Sequence, residues 1–174
     1  GVGTAASGLR PVVDLMYVGF FGVCADQIVN NAAKIHYMFG GKVKVPLTIM
    51  TGTGAGTNSA AQHSETLYSI FTHFPGLKCV VPSNPYNVKG LFTAAINDDD
   101  PVIVFNNRQL MGMPFDVEVP EESYTLEIGK SNIAREGEDV TLIGIGYTTN
   151  VCLQAAEDLS GHGYSAEVLD LLSL

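Results

Sequence analysis

Four short apolar runs rich in β-branched residues, PVVDLMYV (11–18), VPLTIMT (45–51), LKCVV (77–81) and PVIVF (101–105), alternate with stretches whose apolar residues recur every three or four positions. Continuous apolar runs suit strands that meet side chains on both faces, and strands alternating with helices form a parallel sheet covered on two sides. The expected fold is therefore α/β, a three-layer parallel sheet in which PVVDLMYV is a buried strand. Phe21, Ala25, Ile28, Ala32, Ile35 and Phe39 trace one helical face between Phe20 and Met38, and Gly40-Gly41 stops that helix. Leu67, Ile70, Phe71 and Phe74 mark a second helix, ended by Pro75-Gly76. Asn84 as cap and Pro85 at the first helical position open a third, with Leu91, Phe92 and Ala95 on its apolar side.

The pattern lapses over 107–138, which holds Pro114, Pro120, Glu118, Glu121 and Glu122 and no sustained period. This stretch is read as a connection between a first domain, 1–106, and a strand–helix–strand unit in 139–174. That unit comprises DVTLIGIG, a helix over 150–159 and AEVLDLL. A single unit of this kind cannot enclose a core by itself, so the chain is expected to be part of something larger. The opening GVGTAASGLR, with Gly1 where a Met would start a reading frame, carries the same expectation for the other end.

Charge narrows the partners. Eighteen acidic against nine basic residues give a formal charge of -9, which argues against nucleic acid and against an anionic membrane surface. No apolar run approaches the ~18 residues of a membrane span, and the start lacks the layout of a signal peptide. Cys24, Cys79 and Cys152 are odd in number and widely spaced, as free thiols of a reducing cytoplasm would be. Only 16% of residues are charged, so part of the exterior is expected to lie against other protein.

Several residues invite a chemical reading. Gly52, Gly54 and Gly56 follow a strand, but Thr57 stands where a dinucleotide fingerprint needs its third glycine, leaving ligand contact and close backbone packing as the two readings. Gly129-Lys130-Ser131 resembles the end of a phosphate loop, with Tyr124 where its first glycine belongs. His63 lies just past the carboxyl end of a strand, the position at which open α/β sheets bind ligands, whereas His36, His73 and His162 occupy ordinary helix and turn positions. No metalloprotease or serine-hydrolase motif surrounds it. Asp98, Asp99 and Asp100 close the third helix at the negative end of its dipole, which calls either for a bound cation or for a solvated acidic turn.

The stretches GLRPVVDLMYVGFFGVCADQIVNNAAK, YMFGGKVKVPLTIMTGTGAG, AAQHSETLYSIFTHFPGLKCVVPSNPYNVKGL and DDDPVIVF resemble the beta subunits of thiamine-diphosphate-dependent 2-oxo acid and acetoin dehydrogenases. YMFGG, LYSIFT and VVPSNPY resemble the acetoin members most, with the pyruvate and branched-chain enzymes as near alternatives. The resemblance implies a transketolase-like pyrimidine-binding domain followed by the start of a C-terminal domain, and pairing with an alpha subunit in an α2β2 assembly. It also implies thiamine diphosphate shared across that interface, with its magnesium held by the alpha subunit. By motif, Phe20 packs on the aminopyrimidine ring, Met16 lies near the same pocket, and His63 exchanges a proton during acyl transfer to a lipoyl group on a partner acyltransferase. The family's catalytic glutamate falls about seven residues before Gly1 by the same match. A structural potassium ion is implied at the carbonyls of Leu47, Ala95 and Ile96 and at Asp98 and Asp100. Leu172 stands where relatives usually carry arginine. The rival readings are a nucleotide-binding α/β module and a non-catalytic assembly subunit.

Overall fold

A computed structural model describes all 174 residues. Four parallel strands, β1 (Val12–Tyr17), β2 (Thr48–Thr53), β3 (Lys78–Val80) and β4 (Val102–Asn107), form the first sheet in the order β1-β2-β4-β3. The run 102–105 is wholly buried, and its side chains divide between two cores. Ile103 and Phe105 join Ile28, Leu47, Ile49 and Phe71 on one face, while Val102 and Val104 join Val80, Leu91 and Ala95 on the other. This alternation is the period of two that a strand imposes, and it makes the domain the expected three-layer α/β sandwich. The second face belongs to α5 (Pro85–Asn97), where Asn84 caps as its sequence position requires, its side chain accepting from Asn87 N at 2.9 Å.

Two expectations are corrected. PVVDLMYV is an edge strand rather than a buried one: β1 has a neighbour on one side only, and its residues alternate between exposed and half-buried because one of its faces is packed, through Val13 and Leu15, and the other is open. The single helix expected over 20–38 is broken into a 3-10 turn (Val18–Phe20), α2 (Phe21–Asp26), a π turn (Gln27–Ala32) and α3 (Ile35–Met38), following a short α1 (Val2–Ala6). The physical reason lies in DQIVNNAAK. Asn31 Nδ2 donates to the Asp26 backbone carbonyl at 3.2 Å and to Asp26 Oδ2 at 3.0 Å, a five-residue reach that matches a π turn. The turn still buries Ile28 and Ala32.

Beyond a short α4 (Tyr68–Thr72), the chain reaches its second sheet through the stretch 107–138. That stretch is not only a connection: Asn132–Arg135 forms β5, four residues too short to show a period and exposed at its first three positions. Its irregular part is anchored on α5. Leu126 N donates to Gly90 O at 3.2 Å and Tyr124 Oη to Tyr86 O at 2.8 Å, with the two tyrosine rings stacked at 4.6 Å. β5 pairs antiparallel with β7 (Ala166–Asp170), which pairs parallel with β6 (Val140–Gly144), and α6 (Tyr147–Gly161) packs Ala156 against Ala166 and Val168.

The two sheets are joined by a buried polar cluster and by main chain. Asp170, 1% exposed, accepts hydrogen bonds from Ser83 Oγ, from Asn87 Nδ2 at 3.3 Å and from Thr149 Oγ1 at 2.9 Å. Burial raises its carboxyl above the ordinary aspartate range, partly offset by hydrogen bonds from Ser83, Thr149 and the Leu172 backbone. Residues 172–174 run antiparallel along β3, through Val81 N to Leu172 O at 2.8 Å and Leu174 N to Cys79 O at 3.0 Å. Leu172 adopts φ +55° there and is buried against Val80 and Leu91.

Candidate functional site

The carboxyl ends of β1 and β2 carry an aromatic cluster. Tyr17 closes β1, the following 3-10 turn delivers Phe20, and the 3-10 turn Ala61–His63 delivers His63. The His63 ring meets Tyr17 edge-to-face at 4.3 Å and Phe20 at 5.6 Å, and Tyr17 and Phe20 are 5.7 Å apart. Such contacts favour perpendicular planes because the edge of one ring is positive and the face of the other negative. Neither ring nitrogen of His63 is tied to another group of the chain, unlike His36 and His162, whose Nδ1 atoms contact backbone carbonyls.

Met16 reaches the same region by a different route. It takes φ +62° inside β1, where the register with β2 shifts between Asp14 and Tyr17. A left-handed residue costs roughly 1–2 kcal/mol, and Asp14 offsets part of that by accepting from Met16 N at 2.8 Å. Gly52 opposite must be glycine: a side-chain carbon there would stand 2.9 Å from Met16 O. Met16 is 60% exposed and lines a cleft with Asp14, Tyr17, Gly52 and Arg108, whereas Phe20 lines an adjoining one with Gly19, Gln62 and Glu65. Phe20 and His63 are thus brought together, whereas Met16 lines a separate cleft that it shares with Tyr17.

The glycine loop is laid against the end of β4. A side-chain carbon at Gly54 would stand 3.0 Å from the Asn107 amide, and one at Gly56 would overlap Gln109 Nε2. Both glycines also have positive φ, +94° and +96°. The loop lies close against these neighbours, which supports the close-packing reading of its glycines. Two residues that sequence reasoning passed over complete the site. Tyr17 sits at the centre of the cluster, and Arg108 lies over its ring at 5.0 Å, a cation–π contact of about 0.5–1 kcal/mol. Arg108 follows the carboxyl end of a central strand among the uncharged Asn106, Asn107 and Gln109, and that placement was the available signal.

Leu47, Ala95, Ile96, Asp98 and Asp100 meet at the opposite end of the sheet. There the acidic turn faces cations of the chain itself. Arg10 donates to Ile96 O at 3.1 Å and Asp98 O at 2.7 Å and pairs with Asp99 at 2.6 Å; Lys44 also binds Asp99, and Lys78 bridges Asp98 and Asp100 at 2.8 and 3.1 Å. Hydrogen bonds from Lys44 and Arg10 hold the Asp99 carboxyl below the ordinary range. Partial burial works against the Lys78 charge, but its bonds to Asp98 and Asp100 outweigh that and hold its ammonium above the ordinary lysine range. The Leu47 carbonyl accepts from Val102 N at 2.9 Å and the Ala95 carbonyl from Asp98 N at 3.3 Å. No group of three or more His, Cys, Asp or Glu side chains is arranged to hold a metal ion.

The aromatic and imidazole wall stands at the carboxyl edge of an open parallel sheet, the place where α/β domains of this class bind their ligands. The chain belongs to the transketolase pyrimidine-binding domain family, whose model matches residues 1–114, and the model of the transketolase C-terminal domain matches 129–174. It is 54% identical to the acetoin:2,6-dichlorophenolindophenol oxidoreductase subunit beta of Bacillus subtilis over 98% of this chain and 49% of that protein. To the pyruvate dehydrogenase E1 component subunit beta of Staphylococcus epidermidis it is 40% identical, over 98% of this chain and 52% of that one. The chain spans about half the length of the curated relatives it matches. The fold is also that of a solved split-gene transketolase, described as an inactive beta4 tetramer, with a TM-score of 0.80 at 24% identity, covering 99% of this chain and 52% of that one.

Proposed function

We propose that this chain supplies the pyrimidine-binding half of a thiamine diphosphate site in the beta subunit of an acetoin-cleaving dehydrogenase. In this reading it works with an alpha subunit, in an α2β2 assembly in the cytoplasm, and passes a two-carbon unit to the lipoyl group of a partner acyltransferase. The observation that carries the reading is the Tyr17–Phe20–His63 cluster at the carboxyl edge of the sheet. The greater likeness to an acetoin enzyme than to a pyruvate enzyme supports the substrate.

The residues present fit a planar heterocycle: Phe20 offers a half-buried ring beside His63, and Met16 an exposed, polarisable side chain in the cleft that Tyr17 also lines. Thiamine diphosphate, when bound, supplies a nucleophilic carbon and an electron sink for breaking a bond beside a carbonyl. Phe20 would pack on its pyrimidine, with the Tyr17 and His63 rings lining the same wall. His63, with both ring nitrogens free of protein partners, donates or accepts a proton as the two-carbon unit leaves. The diphosphate and its magnesium are assigned to the alpha subunit. Val23, Tyr37, Met38 and Phe39 are exposed by 58–90%, an apolar surface of the kind partner subunits cover, which supports the assembly.

Reconstitution with the alpha subunit tests the substrate: turnover with acetoin is expected to exceed turnover with pyruvate or a branched-chain 2-oxo acid. Preference for either acid would move the assignment to that enzyme. The acidic corner is read as an internally neutralised joint, so the melting temperature is expected to be the same in potassium and in sodium chloride. A rise specific to potassium would instead favour a cation on the Leu47, Ala95 and Ile96 carbonyls with Asp98 and Asp100.

A further inference from the structure

We infer that Arg108 is a positioning residue for His63, acting through both the glycine loop and the Tyr17 ring. The inference rests on the reading of His63 as the residue that moves a proton. Three observations converge on it. Arg108 NH1 donates to Ser59 Oγ at 3.0 Å, and Ser59 Oγ lies 3.1 Å from Thr57 Oγ1, so the guanidinium holds the loop four residues before His63. That loop needs holding: Asn58 and Ala60 both take left-handed backbone, with φ +54° and +61°, immediately before the turn that carries the imidazole. The same guanidinium covers the Tyr17 ring, and Tyr17 is the nearest aromatic neighbour of His63.

The arrangement is a brace from the central strand. β4 is buried and paired on both sides, so Arg108, one residue beyond it, starts from a rigid base. Its aliphatic stem passes over Gly52, where a side-chain carbon would stand 3.5 Å from Arg108 Cδ, and Asn107 and Gln109 press on Gly54 and Gly56 at the same time. Of these three residues, Arg108 alone reaches both structures that touch His63. Arg108 also makes no ion pair with any carboxylate of the chain, unlike Arg10, Lys44, Lys78 and Arg135. Its charge is therefore spent on the ring face and on the Ser59 hydroxyl, and a planar fork suits that double task better than an ammonium does.

Hydrogen–deuterium exchange of the chain, read by mass spectrometry, tests the brace without reference to activity. Arg108→Met is expected to speed exchange over residues 54–64 by on the order of tenfold, with β2 and β4 unchanged. Ser59→Ala should reproduce the change, and Ser59→Thr, which keeps the hydroxyl, should restore the slow rate. With the alpha subunit present, Arg108→Met should lower lipoamide-linked kcat about tenfold while the acetoin KM stays within about twofold. Unchanged exchange over 54–64, an increase spread equally through β4, or a loosened loop with undiminished kcat would each overturn the inference. If the wild-type assembly turns over none of the substrates, the proposed function fails, and the exchange arm still decides whether Arg108 braces the loop.

Discussion

Asp170→Ala is expected to cost about 3 kcal/mol of folding stability, because it removes the one acceptor on which three side chains, from elements packed on both sheets, converge. Ser83 and Asn87 come from the turn and first residues of α5, and Thr149 from the first turn of α6. Each was desolvated to reach a carboxylate that is itself 1% exposed. Truncation would leave the Ser83 and Thr149 hydroxyls facing a cavity, while Asn87 would retain its 3.0 Å bond to Ser83. The pH dependence has a definite sign. Burial raises the Asp170 carboxyl, so the folded chain holds this proton more tightly than the unfolded one. Stability from this group is full below the ordinary aspartate range and declines as pH rises through the raised value. Asp170→Asn keeps the shape without the charge and should flatten that decline while costing less than alanine does. Urea unfolding followed by circular dichroism at pH 4.5 and pH 8 checks both statements. A wild-type slope persisting in Asp170→Asn would remove Asp170 as its source.

His63→Ala is expected to lower lipoamide-linked turnover by roughly 10²–10⁴-fold, the range for loss of a positioned proton-transfer group, while thiamine diphosphate affinity stays near that of the wild type. The two effects separate because different side chains carry them. Phe20 and Met16, the residues read as meeting the ring, are untouched by the substitution, whereas the imidazole is the group with free nitrogens. His63→Phe would keep an aromatic ring against Tyr17 and still lack the proton, so it should lose turnover as fully as alanine. Turnover surviving in the phenylalanine variant would make His63 a packing residue.

How far the fold was legible depended on whether the pattern came from burial. Val102, Ile103, Val104 and Phe105 are apolar because both faces of β4 are covered, and the run reads as a strand at once. Asn84-Pro85 reads as a helix start because capping is local chemistry. β1 looked equally buried, yet it lies at an edge, since strand order is decided by partners distant in sequence. The π turn was hidden for a related reason: apolar spacing of three and four persists through it, and only the Asp26–Asn31 bond reveals the extra residue per turn. At the site, His63 stood out by its position after a strand, and Phe20 by resemblance. Tyr17 and Arg108 did not: Arg108 shares with His63 the signal of following a strand, but what joins it to Tyr17 is a contact between residues 91 positions apart, which no local pattern encodes.

The boundaries of the first sheet bear on how copies or partners can meet it. On one side β1 is interrupted by the left-handed Met16, which breaks the row of backbone donors and acceptors; on the other, residues 172–174 already occupy the rim of β3. Neither margin offers an unbroken ladder to a foreign strand, so growth by strand addition is blocked at both. For this sheet, association is left to side-chain surfaces, among which Val23, Tyr37, Met38 and Phe39 are prominent. Whether an assembly built on such contacts closes or propagates is then set by the symmetry of the contacting patches rather than by the sheet edge.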